Sequence, residues 1–180
     1  MSEKPFPKTA LNFCSAIGLA MMISGCANNK VVNEAQTDSQ ACDALKNVIA
    51  NAGTNFDSLK SGNGVADYDH KRWDTKSIFP GADCDVIGWG AGKSDYACTW
   101  TKNDSTGARS DYAYGLSVAK SCLGSGWSSA SIPGVTGEGT RFSSVGNSVV
   151  VDIRMAQELA PSKNWLTSLT VGAPINRNAK

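Results

Sequence analysis

Residues 83–102 read DCDVIGWGAGKSDYACTWTK. Two strand-like runs, Asp83–Trp89 and Asp95–Lys102, flank a stretch with glycines at 88, 90 and 92. Folding the chain about Ala91 sets Cys84 opposite Cys98, Val86 opposite Tyr96, and Ala82 opposite Trp100. Side chains alternate between the two sides of a strand, so these six residues share one face. Opposed Cβ atoms on antiparallel neighbours lie about 4.5–5.5 Å apart, within adjustment of disulfide geometry. The segment predicts a hairpin with one buried face, closed by a Cys84–Cys98 bond.

The same glycines, in Gly88-Trp89-Gly90-Ala91-Gly92-Lys93-Ser94, do not make a phosphate loop. GxxxxGK[ST] needs glycine where Ile87 stands, and it must join a strand to a helix rather than turn a hairpin. No nucleotide is expected as a ligand.

Helical periodicity appears on both sides of the hairpin. Upstream, Asp38 or Ser39 caps a stripe of Ala41, Leu45, Val48, Ile49 and Ala52 that Gly53 can end, with Cys42 at its edge. Downstream, a helix is predicted from Ser110 to Leu123, with Tyr112, Leu116, Ala119 and Leu123 as its stripe, Cys122 beside it and Gly124 as its stop. Two such helices side by side on a sheet would let Cys42 meet Cys122.

Asn55–Pro80 is expected to be irregular with one strand at most, and Gly124–Thr140, rich in glycine and serine, to be a loop. A second hairpin is predicted, with Phe142–Val145 and Ser148–Met155 turning at Gly146-Asn147. Its Val149, Val151, Ile153 and Met155 face one way and Asp152 and Arg154 the other, so one side should be buried and one wet. A last strand runs from Trp165 to Val171. Helix, strands, helix, strands implies an α+β domain, two helices packed on an antiparallel sheet and stabilised by disulfides.

The first 25 residues read differently. Lys4 and Lys8 precede an uncharged apolar run from Thr9 to Ile23, which ends in small residues. This is the pattern of a secretory signal, and the run is shorter than the roughly 20 residues of a comfortable bilayer span. Its end, Ile23-Ser24-Gly25-Cys26, resembles the lipobox of bacterial lipoproteins. That resemblance covers the signal segment alone. It implies cleavage before Cys26, a diacylglycerol on the Cys26 thiol and a membrane anchor made of lipid. Ala27, rather than aspartate, follows the cysteine, which in that family favours an outer membrane and a periplasm-facing domain. The chain then divides into a signal peptide 1–25, a flexible tether 26–37, a single α+β domain 38–173 and a tail 174–180.

Cleavage removes two of seventeen cations and one of sixteen anions, leaving fifteen of each, without the basic excess expected of a nucleic-acid binder. No sequence repeat and no block of like charge stands out. Cys14 leaves with the signal and Cys26 takes lipid, so Cys42, Cys84, Cys98 and Cys122 remain for an oxidising compartment. Four cysteines allow three connectivities; Cys84–Cys98 with Cys42–Cys122 is the expected one. There is no CxxC spacing and one histidine, His70, so neither zinc nor any other cofactor is expected. Asp67, Asp69 and His70 lack the further ligands of a calcium loop, and no nucleophile–base pair is legible beside them.

Tyr, Trp and Arg side chains dominate interface energies. Tyr68, Arg72, Trp73 and Trp127 fall in stretches read as loops and are the expected partner-binding residues, although Trp73 and Trp127 also suit anchoring a loop to the core. The expected function is non-enzymatic: a lipid-anchored domain that binds another envelope protein, as an accessory subunit or an immunity protein. The alternative is an envelope hydrolase, or an inhibitor of one, acting on peptidoglycan or glycan.

Overall fold

A computed structural model describes residues 29–67, 69–90, 92–132 and 137–174. Helix α1 (Asn29–Asn51) is followed by strands β1 (Ser61–Asp67), β2 (His70–Asp74), β3 (Asp83–Trp89) and β4 (Lys93–Lys102). Helix α2 (Ser105–Leu123) is followed by β5 (Trp127–Ser131), β6 (Gly137–Ser144), β7 (Val150–Gln157) and β8 (Trp165–Gly172). The strands make one antiparallel sheet in the order β1-β2-β3-β4-β8-β7-β6-β5, with the helices packed on it. The α+β architecture is as the element order implied.

The same element order occurs twice, without a matching repeat in the residues. Each half is one helix followed by a four-strand meander, and the final strands of the halves, β4 and β8, pair at the centre. The Cys42–Cys122 disulfide ties α1 to α2, and so ties one half to the other. The Cys84–Cys98 disulfide lies within the first half, across the predicted hairpin, where Cys84 pairs with Cys98 and Val86 with Tyr96. Both expected disulfides are present.

One side of the sheet and the inner sides of the helices form the core. Leu45 and Val48 of α1, Tyr112, Val118 and Ala119 of α2, and Val86, Tyr96, Cys98, Trp100, Val151, Ile153 and Leu169 of the sheet are buried together. A Cβ added at Gly115 would lie 3.4 Å from Ile153, so the missing side chain there lets α2 settle close to β7. The Trp100 indole donates to the Pro80 carbonyl at 3.0 Å and the Tyr96 hydroxyl to the Lys76 carbonyl at 3.0 Å. These two bonds hold the connection between β2 and β3 down onto β4, which satisfies buried polar atoms and orders a stretch without regular structure.

Several boundaries differ from expectation. Helix α1 begins at Asn29, not at Asp38 or Ser39, so it takes in much of the segment expected as a tether. Residues 27–37 carry neither glycine nor proline to stop it. Helix α2 begins at Ser105, because Asp104 rather than Ser110 caps it by accepting from the Gly107 amide at 2.8 Å. Its buried stripe is Ala108, Tyr112, Gly115, Val118, Ala119 and Cys122, which places Cys122 within the stripe rather than beside it and leaves Leu116 and Leu123 half-buried. Gly124, at φ 73°, ends it as expected.

The stretch Gly124–Thr140 is not all loop, since β5 and the start of β6 occupy much of it. Serine-rich edge strands carry little hydrophobic signal, and pairing with β6 creates β5. Asn55–Pro80 likewise holds two strands, not one, after two short 3-10 turns at Ala52–Thr54 and Asp57–Leu59. Between those turns Asn55 and Phe56 both take left-handed backbone, at φ 53° and 59°. Such a conformation costs a side-chain-bearing residue roughly 1–2 kcal/mol, and full burial of the Phe56 ring beside Tyr96 offsets it.

Candidate functional site

Cross-strand pairing sorts the side chains of the sheet into two sets. Val86, Tyr96, Val171 and Val151 pair along one line and face the helices. The next line, Val65, Arg72, Ile87 and Asp95, must face the opposite side, which neither helix covers. Arg72 and Trp73 are adjacent in sequence and so point to opposite sides of β2.

This separates residues that sequence reasoning had grouped. Trp73 is half-buried and packs against the core from the helix side. Trp127 is half-buried on β5, in a strand rather than a loop, and also packs on the core. It stands six strands from β2, about 29 Å at the usual spacing near 4.8 Å. Arg72 is exposed on the uncovered side and its guanidinium donates to the Asp85 carboxylate. Tyr68 and Cys26 lie outside the described residues. The three described candidates, Arg72, Trp73 and Trp127, therefore do not make one surface.

Another group does. On the uncovered side, Val65 is 72% exposed, Trp89 is 37% exposed, and Arg72 and Ile87 lie between β1 and β4 in line with Val65. The His70 ring sits 5.3 Å from the Trp89 ring and completes the patch. Sequence reading did not single out Trp89 or Val65 as surface residues, having placed the first at the end of a strand-like run and the second in irregular chain. The signal was present: Asp85, Ile87 and Trp89 alternate with the buried Cys84 and Val86.

His70 is flanked on both ring nitrogens, by Asp67 at 3.4 Å and Asp69 at 3.1 Å. The hydrogen bond from His70 holds the fully exposed Asp69 carboxyl below the ordinary range. Among the described residues no group of three or more His, Cys, Asp or Glu side chains is placed to hold a metal ion. None of the described helices is long and apolar enough to cross a membrane.

Two carboxylates lie buried on this uncovered side. Arg141 grips Asp152 through two bonds, at 2.7 and 2.6 Å, and Arg154 adds a third at 3.1 Å. The expectation that Asp152 and Arg154 face water is corrected by this triad: guanidinium stems, not a helix, cover the carboxylate. Asp152 in turn raises the pKa of Arg141 above its usual value.

Asp95, 4% exposed, accepts from the Trp89 indole at 2.7 Å and lies against Gly172, where a Cβ would come within 1.8 Å of the carboxylate. Burial pushes the Asp95 carboxyl up from its ordinary value; the Trp89 bond opposes this and the charge of Asp152 adds to it. Because the folded pKa is raised, Asp95 stabilises the fold most below its unfolded pKa, and that contribution is lost as pH rises through the folded one. Asp95→Asn keeps an acceptor for the indole and removes the buried charge. The variant should melt higher than wild type near pH 7 and no higher near pH 3, about a unit below an ordinary aspartate. Melts in parallel across that range check the sign.

No protein-family model, curated protein or solved structure matches this chain.

Two concave surfaces stand out among the described residues. A cavity of about 510 Å³ opens where β2, β3 and β4 meet the 3-10 turns, near Trp73, Lys60 and Lys93. A second, of about 520 Å³, lies between α1 and the segment 75–78 and is lined in part by Val48, Leu59 and Ile78.

Proposed function

We propose that this protein is a lipid-anchored envelope lipoprotein that works by binding another envelope protein rather than by catalysis. The observation that carries the reading is the patch formed by Val65, Arg72, Ile87, Trp89 and His70 on the side of the sheet that no helix covers. It combines an exposed aliphatic residue, an indole and an arginine over contiguous strands, the side chains that concentrate binding energy in interfaces. It also borders β1, an edge strand with backbone groups open to a partner. The lipobox at Cys26 supplies the membrane attachment in this reading and the balanced mature charge leaves nucleic acid out of it.

The full-length chain, purified in detergent, serves as bait against solubilised envelope, beside single variants. Val65→Asp and Arg72→Ala should lower capture of one defined protein by about thirtyfold, the equivalent of 2 kcal/mol at a hot spot, with little change in melting temperature. Trp73→Ala and Trp127→Ala should instead lower the melting temperature, since both rings pack on the core. Capture that is indifferent to Val65→Asp and Arg72→Ala would remove the patch from the mechanism.

A further inference from the structure

The side of the sheet that neither helix covers is divided by charge. Asp74 pairs with Asp85 across β2 and β3, and Asp83 follows Asp85 on the same side by alternation. The bond to Asp85, with the charges of Asp85, Asp67 and Asp74, raises the pKa of Arg72 above its usual value, as carboxylates on its own side would. On the second half Arg141 and Arg154 share one carboxylate, Asp152, across β6 and β7. One half is acidic and the other basic. Within a single chain the two cannot neutralise each other. Strands β3 and β7 are three spacings apart, about 14 Å, and β2 and β6 five, about 24 Å, whereas exposed charges are screened over about 8 Å at physiological salt. Between them lie Ala97, Thr99, Ser168 and Thr170, small half-buried side chains of β4 and β8.

The rows of the sheet make this division self-complementary. Asp83, Thr99, Ser168 and Arg154 are successive partners in one row, so Asp83 and Arg154 stand equally far on either side of the β4–β8 seam. Asp74 and Arg141 are the outer members of the next row on this side, Asp74-Asp85-Ala97-Thr170-Asp152-Arg141. They too are symmetric about the seam. A two-fold axis parallel to the strands, lying between two stacked sheets, exchanges the two ends of each row. It sets Asp83 of one copy over Arg154 of the other and Asp74 over Arg141, twice each. Asp85 and Asp152 also meet, but each is already held by an arginine. A two-fold across the strands would instead set acid on acid and base on base.

We infer that a second copy of this chain covers the open face, in a sheet-on-sheet dimer about the axis parallel to the strands. The inference rests on the reading of this side as a docking surface and names its occupant. The face spans eight strands, about 34 Å, and runs about 20 Å along them, which makes about 700 Å² per copy. Standard interfaces bury about 800 Å² per partner, so the area suffices for a stable pair. Such an axis also keeps position along the strands, and so brings both copies of Asn29, where α1 begins, to the same end of the dimer. Two chains anchored through Cys26 then reach one membrane together.

Sedimentation equilibrium of the full-length chain, in detergent matched to the solvent density, measures the pair. The wild type should dimerise with a Kd of about 10 μM or tighter, the weak end for an interface of this size. Asp83→Arg, at an exposed position, should weaken association at least about tenfold, because a two-fold repeats every change on both sides. Adding Arg154→Asp restores opposite charges in that row and should recover most of the loss. Asp74→Arg, also exposed, repeats the test in the other row without touching the Arg141–Asp152–Arg154 triad. Lys46→Glu, a reversal of the same size at an exposed position on α1, should change nothing. Wild type that stays monomeric at about 100 μM would overturn the inference. So would association equally tight in wild type, Asp83→Arg and Asp74→Arg, the mark of two anchors sharing a micelle, or a folded double variant no tighter than Asp83→Arg. A monomer that still captures a different envelope protein through Val65 and Arg72 would sink the dimer and leave the docking patch standing.

Discussion

Replacing Cys42 and Cys122 together by alanine is expected to cost this domain about 4–5 kcal/mol, the largest stability loss that any single cross-link here predicts. The two residues stand 80 apart in sequence, and the chain-entropy account of a disulfide grows with the logarithm of the loop it closes. The Cys84–Cys98 loop spans 14 residues, for which the same account gives about 3 kcal/mol. Domains of this size have only about 5–15 kcal/mol to lose, and each kcal/mol moves the melting temperature by about 2–4 °C. The longer bond is thus worth roughly 8–20 °C, the shorter roughly 6–12 °C. Topology sharpens the difference. Cys84–Cys98 joins neighbouring strands that already pair from Asp83–Thr99 to Trp89–Lys93, whereas Cys42–Cys122 joins the helices of two halves whose only strand pairing is between β4 and β8. Urea unfolding of both double variants measures the two costs directly. A larger loss for Cys84→Ala with Cys98→Ala would reverse the ranking and show that strand packing, not chain entropy, governs these bonds.

That pairing was readable before any coordinates because each cysteine sits in a strongly periodic segment. Cys84 and Cys98 share the face of Val86 and Tyr96 by strand alternation, and Cys42 falls three residues before Leu45 on a helical stripe. Periodicity of this kind survives in a single sequence because burial imposes it on every turn or every second residue. Where burial is weak it vanishes. Strand β5 reads Trp127-Ser128-Ser129-Ala130-Ser131 and is exposed after its first residue, so only its partner β6 makes it a strand. Strand β1, with Gly62 and Gly64, is hidden for the same reason, and one of its glycines has a structural use that no propensity reveals: it makes room for a ring on the next strand.

The binding surface was less legible than the fold. Arg72 and Trp73 stand together in sequence, yet β2 sends them to opposite sides of the sheet. Once His70–Asp74 is recognised as strand, that divergence is unavoidable. Trp89 was passed over as a candidate because glycines stand on either side of it at the end of its strand, although alternation with Ile87 places it on the uncovered face. The repeated topology carries different residues in its two halves. Each half keeps a helix and a meander, but the close approach of Trp73 to Gly64 and Gly88 lies in the first half and the Arg141–Asp152–Arg154 triad in the second.

Cys26→Ser is expected to abolish lipid attachment altogether, an effect on membrane partition larger than any stability change above. Each buried methylene of an acyl chain contributes about 0.8 kcal/mol, and one chain alone binds a membrane only reversibly, near 10⁴ M⁻¹. A second chain multiplies that partition by a comparable factor, which makes a diacylated cysteine effectively permanent on the timescale of growth. Serine has no thiol to take the diacylglycerol, so the variant should incorporate no labelled palmitate. Processing should fail with it, because signal peptidase II acts on the lipid-bearing precursor in the family that Ile23-Ser24-Gly25-Cys26 resembles. Globomycin should therefore lengthen the wild-type product by the 25 residues before Cys26 and leave the variant unchanged. Membrane residence alone is a poor measure, since an uncleaved apolar run from Thr9 to Ile23 can itself hold a precursor at the bilayer. Cys14→Ser provides the control: it changes a thiol within the proposed signal segment and should leave labelling and processing intact. Palmitate on the Cys26→Ser protein, or wild-type processing indifferent to globomycin, would mean that the anchor is not at Cys26.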